Sequence, residues 1–329
     1  MNWNKRTGLA AAAMAAATAL ITGCGAGTAT EAGGTTPVAD DKPMVDKANW
    51  PKATPERGLA KGLSLPLEEY MQTYQDTVTL DQASRKLQEK CMAEYGFSIE
   101  LPLAGTTPPP NDNDANMERR YGLTDRQAAA QYGYGLPEAL TKQVRQKMPE
   151  LTDEAVQVLT GHTKPAAPAT PGAVRAVEPA AESYQGKKIH KGGCHGWAKD
   201  KLKRPATDDL AFVSELNGNS FTESMATPAV KQALAAWSQC MKTEGYTAAT
   251  PFEATDIAPH AEGGPASQEE IAVALAEIDC KEKTDLVKVW FTEESKIQKA
   301  QIAEHRTKLN GTRTRNSEAV AAADASLAG

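Results

Sequence analysis

The chain has 329 residues, carries 36 Lys and Arg against 42 Asp and Glu, and has a formal net charge of −6, with aromatic residues at only 5%. An acidic chain with no long basic run is a poor nucleic-acid binder, so no nucleic-acid partner is expected. So few aromatics leave a limited supply of large apolar surface for a core. The N-terminus reads MNWNKRTGLAAAAMAAATALITGC, with Lys5 and Arg6 ahead of an uncharged Ala-rich run. That is a signal-peptide layout over residues 1–23, and the run is short of the ~20 residues that cross a bilayer core.

The leader ends in Leu20-Ile21-Thr22-Gly23-Cys24. This resembles the lipobox of bacterial lipoproteins, which signal peptidase II cuts before the cysteine. The resemblance implies that Cys24 becomes the mature N-terminus and is acylated, with membrane lipid as its partner and the outer face of the cytoplasmic membrane as its location. Residues 24–64 are rich in Gly, Thr, Ala, Pro and charge. Without apolar periodicity they read as a lipid-anchored flexible tether with a reach on the order of 35 Å.

A helical domain is expected over residues 65–309. Residues 80–95 place Leu80, Ala83, Leu87 and Cys91 on one helical face, and Gly96 sits where a left-handed residue stops a helix. The stretch TTPPPNDNDAN is a loop by its prolines and Asx residues. Residues 119–134, 137–148 and 153–159 are short and helix-compatible. Residues 161–190 form a Pro/Ala-rich loop with four prolines. Thr227-Pro228 marks the N-cap and first position of a helix over 228–244 with Val230, Leu234, Trp237 and Met241 on one stripe, closed by Gly245. Ser267 and Glu270 form a capping box that opens one continuous helix to about residue 309. Residues 310–329 read as a disordered tail. No strand-like alternation runs over a useful length, so the fold class is mostly α.

The stretch CMAEYGF from Cys91 is echoed by CMKTEGY from Cys240. Both are helix ends: Gly stops the helix, and the next residue, Phe97 or Tyr246, folds back over its last turn. Besides Cys24, the chain has Cys91, Cys194, Cys240 and Cys280, an even number in an exported protein. Helix-end placement favours Cys91 with Cys194 and Cys240 with Cys280. Cys91 with Cys240, joining the two repeats, is the competing pairing.

The domain resembles a group of actinobacterial lipoproteins, Streptomyces-like in their Ala- and Pro-rich composition. The shared elements are the lipobox, the CMxxxG-aromatic motif, Gly192-Gly193-Cys194 and the Asp279-Cys280 helix. The resemblance implies a disulfide-stapled helical lipoprotein and carries no activity.

Chemical motifs are weak. In HKGGCHGWA, Cys194 beside His190 and His195 offers a thiolate nucleophile or three metal-ligand types, but an exported cysteine with three possible partners is expected to be bridged. His162, His260 and His305 are expected to be solvated. The pairs Glu68-Glu69, Asp208-Asp209 and Glu293-Glu294 are adjacent on helical stretches, so their side chains diverge and are expected on solvated surface. The basic stretch KDKLKR over residues 199–204 also reads as a solvated helix surface. No GxSxG, GxGxxG or GxxxxGK[ST] occurs. The expectation is a non-enzymatic binding or accessory protein without cofactor or metal, whose partner is an envelope protein or the wall polymer. A solute-binding lipoprotein of an importer and a Cys-dependent wall enzyme are the alternatives.

Overall fold

The computed structural model describes residues 45–137, 140, 146–164, 177–261 and 264–329. The leader, Cys24 and most of the 137–148 stretch lie outside them. The described residues are mostly helical: α1 (Tyr74–Glu94), α2 (Arg126–Tyr132), α3 (Asp153–Thr160), α4 (Gly193–Lys201), α5 (Thr207–Ala226), α6 (Pro228–Thr243), α7 (Pro251–Ala254), α8 (Gln268–Lys283), α9 (Leu286–Glu304) and α10 (Arg306–Ala328). A small antiparallel hairpin pairs β1 (Ser183–Tyr184) with β2 (Lys187–Lys188), Ser183 opposite Lys188. None of the described helices is long and apolar enough to cross a membrane.

Helix starts follow local chemistry. Thr73 and Asp76 close a capping box at α1, Ser267 and Glu270 close one at α8, and the Thr227 hydroxyl accepts from the Val230 N–H with Pro228 at the first position of α6. The two repeated motifs end their helices identically. Gly96 N–H donates to the Ala93 carbonyl and Phe97 N–H to that of Met92, while Gly245 donates to Lys242 and Tyr246 to Met241. Both glycines have positive φ, 85° and 92°. These are paired Schellman closures, which satisfy carbonyls that a helix end leaves unbonded.

Both favoured bridges form: Cys91–Cys194 and Cys240–Cys280, each with Cα atoms 5.6 Å apart. Each lies within an apolar cluster. The first joins α1 to α4 among Met92, Tyr95, Val158 and Ile189. The second joins α6 to α8 beside the largest cluster, in which Val230, Trp237 and Met241 of α6 meet Val273 of α8 and Leu286 and Trp290 of α9.

Several boundaries differ from the sequence reading. The continuous helix over 268–309 is broken at Asp285, which takes a left-handed conformation at φ 53°, and turns again at His305. The tail over 310–329 is not disordered: it continues as α10, burying Thr312, Asn316, Ala319 and Ala323 along with Leu309. Ala319 and Ala323 cluster with Leu80, Ala83 and Leu202. Small residues let the backbones of α10 and α1 approach, so no large apolar stripe announces the contact. The tether also ends earlier than residue 64, because residues from Trp50 onward pack on the domain. The Trp50 indole donates to the Gly105 carbonyl at 3.0 Å, and Ala60 is wholly buried. At Gly58 (φ 71°) a Cβ would collide with the Thr124 carbonyl, so only glycine permits this close approach.

The helix expected over 119–134 is confined to α2, since residues 113–122 form successive turns. Of the 161–190 loop, residues 165–176 lie outside the described set. Its flanks are tied together, with Thr163 N–H donating to the Glu178 carbonyl and Ala180 N–H to that of Gly161.

The packing of α10 sets a test. Ala319→Glu places a carboxylate where the side chain is wholly buried, and we expect a loss of roughly 3 kcal/mol in urea unfolding. A loose tail would show no change.

Candidate functional site

Both sulfurs of the chemically suggestive segments are bonded. Cys194 is held by Cys91, so it supplies neither a thiolate nucleophile nor a metal ligand. His190 instead stacks on Trp197, with ring centroids 5.8 Å apart, and meets the edge of Tyr95. Cys240, Glu244 and Cys280 bring three ligand atoms within 4.8 Å. The two sulfurs are bonded to each other and Glu244 is paired with Lys283 at 2.9 Å, so this group offers no thiolate either. Two histidines expected to be solvated have partners: His260 Nδ1 lies 2.9 Å from Glu270 Oε1, and His305 packs edge-on against Phe212. His162 is on the surface, bridged through its backbone to Pro179.

The carboxylate pairs diverge, but not all onto solvent. Glu293 pairs with Lys296 at the surface, Glu69 lies 3.5 Å from Arg313, and Asp209 is 2.9 Å from Arg315. Glu294 is wholly buried, which corrects the expectation of solvated surface. It is fixed by Arg120, whose Nε reaches both carboxylate oxygens at 3.1 and 3.0 Å, by the Tyr121 hydroxyl at 2.8 Å and by the Ser220 hydroxyl at 2.9 Å. Arg120 spends further N–H groups on the carbonyls of Ala115 and Asn217. Burial, and then the Glu294 charge, push the Tyr121 phenol well above its usual range.

A second buried pair, Glu277 and Lys281, lies one turn apart on α8. Lys281 donates to the Leu123 carbonyl at 2.8 Å, the Leu123 N–H donates to Glu277 at 3.2 Å, and burial lowers the Lys281 pKa. A Cβ at Gly122 (φ 81°) would meet Lys281 Nζ at 2.6 Å, so glycine is required where the loop crosses the pair. Together the two pairs fasten residues 115–123 to α8 and α9.

The loop so fastened borders a surface groove made of three cavities of about 310, 340 and 430 Å³. Trp50 is common to the first two and Asp112 to the last two, so they are contiguous. Tyr70, Tyr74 and Trp50 supply aromatic wall, with Trp50 edge-on to Tyr74 at 5.4 Å. Asp112, Asp114 and Glu118 supply carboxylates. The Asp112 carboxylate accepts from the Tyr74 N–H at 2.8 Å and from the Asn113 amide at 3.1 Å.

Glu68 sits close enough to Asp112 and Glu118 to feel their charge. Burial pushes its carboxyl up to about 7, against the Leu65 N–H and Ser64 hydroxyl, which favour the anion. Burial raises Asp112 and Glu118 as well. Glu68, behind the groove wall, therefore gains its negative charge as pH approaches neutrality. Aromatic faces beside carboxylates and amides suit a ligand with both apolar and hydrogen-bonding surface.

The sequence reading missed this groove. Its residues lie in a Trp-Pro pair inside the apparent tether and in the Asx-rich loop, and the run Asn111-Asp112-Asn113-Asp114 was the available signal. No protein-family model, curated protein or solved structure matches the chain.

Two outcomes test the electrostatics. Arg120→Ala leaves Glu294 buried without its partner, and a loss of about 3–5 kcal/mol is expected in denaturant unfolding. For Glu68, the folded pKa lies above the unfolded 4.5, so the folded state binds the extra proton between these values. Stability should then fall as pH rises from about 4.5 to 7. Glu68→Gln, measured by thermal unfolding, should match the parent below pH 4.5 and exceed it by ~2 kcal/mol at pH 8, a figure reduced from the full shift for partial exposure.

Proposed function

We propose that this chain is a lipid-anchored extracytoplasmic accessory protein of a bacterial envelope, and that its helical domain binds another envelope component without catalysing a reaction. The observation that carries the reading is the state of the cysteines. Cys91, Cys194, Cys240 and Cys280 are all consumed in bridges within apolar clusters, an economy suited to an oxidising compartment. The leader and its Leu20-Ile21-Thr22-Gly23-Cys24 ending supply the route there and an anchor at Cys24. Two acyl chains at ~0.8 kcal/mol per buried CH₂ hold durably where one is marginal.

The groove around Trp50 and Asp112 is the docking surface this reading assigns to the partner, an envelope protein or the wall polymer. Trp50 follows closely on the segment that would lead to the anchor. The alternatives draw less support. A solute-binding protein of the two-lobed α/β kind needs substantial sheets, and a Cys-dependent enzyme needs a free Cys194.

Metabolic labelling with radioactive palmitate tests the anchor. The parent protein should be labelled and sediment with membranes, whereas Cys24→Ala should lose the label and leave the membrane fraction. An unlabelled parent, or a Cys24→Ala protein that stays labelled, would overturn the reading.

A further inference from the structure

The basic stretch over residues 199–204 and the second half of HKGGCHGWA meet in one place. Two adjoining cavities, of about 240 and 290 Å³, share Ser84, His195 and Arg204 in their walls. Arg85 reaches this cleft from α1, His195 and Lys199 from successive turns of α4, and Arg204 from the connection to α5. Asp81 is the carboxylate in the wall. Three cations against one lining acid is a local reversal in a chain whose net charge is −6.

Arg85 and Arg204 are oriented by hydrogen bonds but only partly neutralised, and Lys199 is exposed. Asp81 Oδ1 takes one contact from Arg204, through Nη2 at 2.7 Å, and the rest of that guanidinium fork has no partner among the described residues. Arg85 is oriented by the Pro102 carbonyl, a neutral acceptor. Lys199 and His195 have no carboxylate partner among the described residues. The inner wall is polar and buried. Ser84 is 5% exposed and Gln88 9%, and Gln88 donates to the Ser84 hydroxyl at 2.9 Å, which leaves the serine's own O–H to donate. The α5 N-terminus also borders the cleft at Thr207; Ala206 gives it no side-chain cap, and its first turn carries Asp208 and Asp209, the latter paired with Arg315 at 2.9 Å.

We propose that this cleft binds the phosphate group of a small soluble ligand. A planar carboxylate is satisfied by a single guanidinium fork. Donors arriving from three separate elements match a tetrahedral anion, whose oxygens point in several directions. An open cleft of a few hundred Å³ suits a small molecule. The Cys91–Cys194 bridge ties α1 to α4 next to His195, so the two walls are fixed before any ligand arrives. This site does not depend on how the chain is anchored.

Isothermal titration calorimetry of the full chain in mild detergent, with inorganic phosphate as the probe, tests the site. Saturable binding is expected. Arg204→Gln should weaken it roughly tenfold and the exposed Lys199→Gln roughly threefold, consistent with loss of charge-assisted contacts. Asp81→Asn, which releases Arg204, should tighten it, and Lys242→Gln on the distant α6 should leave it unchanged. Lys199→Gln and Asp81→Asn keep the test sound if Arg204→Gln fails to fold. Absence of saturable binding to the parent, or equal affinity in Lys199→Gln, Asp81→Asn and Lys242→Gln, would overturn the proposal.

Discussion

Glu294 is the point to which the surrounding segments are tied. Its carboxylate gathers Arg120 and Tyr121 from a loop and Ser220 from α5, and one turn along α9 the Gln298 amide accepts from the Leu67 N–H and donates to Ser220. Taking a carboxylate and a guanidinium out of water is costly, and Coulomb attraction alone does not reliably repay it. Here the remaining hydrogen-bonding capacity of both groups is also used, which is the condition under which such a network is tolerable. Its main product is geometric. A long loop with little regular structure is held at defined points on α8 and α9, so the groove it borders has a fixed wall.

The need for such ties follows from composition. With 5 Phe, 5 Trp and 8 Tyr in 329 residues, the apolar interior is divided into several modest clusters. The cluster around Cys91–Cys194 contains no tryptophan among its fully buried members. A bridge there stabilises by limiting the unfolded chain, in the loop-entropy account, and so supplements the limited apolar burial. The Cys240–Cys280 bridge acts beside the tryptophan-rich cluster, where Trp237 and Trp290 already provide large buried surface.

What was legible in the sequence is what depends on near neighbours. The N-caps at Thr227 and Ser267, the glycine closures at Gly96 and Gly245, and from those the placement of cysteines at helix ends, all rest on chemistry within about one helical turn. The rest depends on contacts that local pattern does not encode. Asp285 breaks the long helix without Gly or Pro, and α10 packs through alanines that also suit a solvated tail. Glu293 and Glu294 are chemically identical neighbours, and only Arg120, 174 residues away in sequence, distinguishes the buried one. The groove is less legible still, because Trp50, Tyr74, Asp112 and Glu118 come from separate segments that only the fold brings together.

The same reasoning recasts HKGGCHGWA. Read as a line of residues it suggests reactivity, since a cysteine flanked by histidines at a helix start has the ingredients of a thiolate. In the fold those residues separate into different tasks. His190 packs on Trp197, Cys194 fastens α4 to α1, and His195 faces the cleft with Lys199 one turn later. A bond at Cys194 removes the nucleophile but fixes the helix that carries His195 and Lys199. The segment therefore exchanges reactivity for position. A cluster of positive charge that Asp81 neutralises only in part, in an otherwise acidic protein, is a feature that core packing does not require, which is why it is the part of this scaffold most in need of a ligand to explain it.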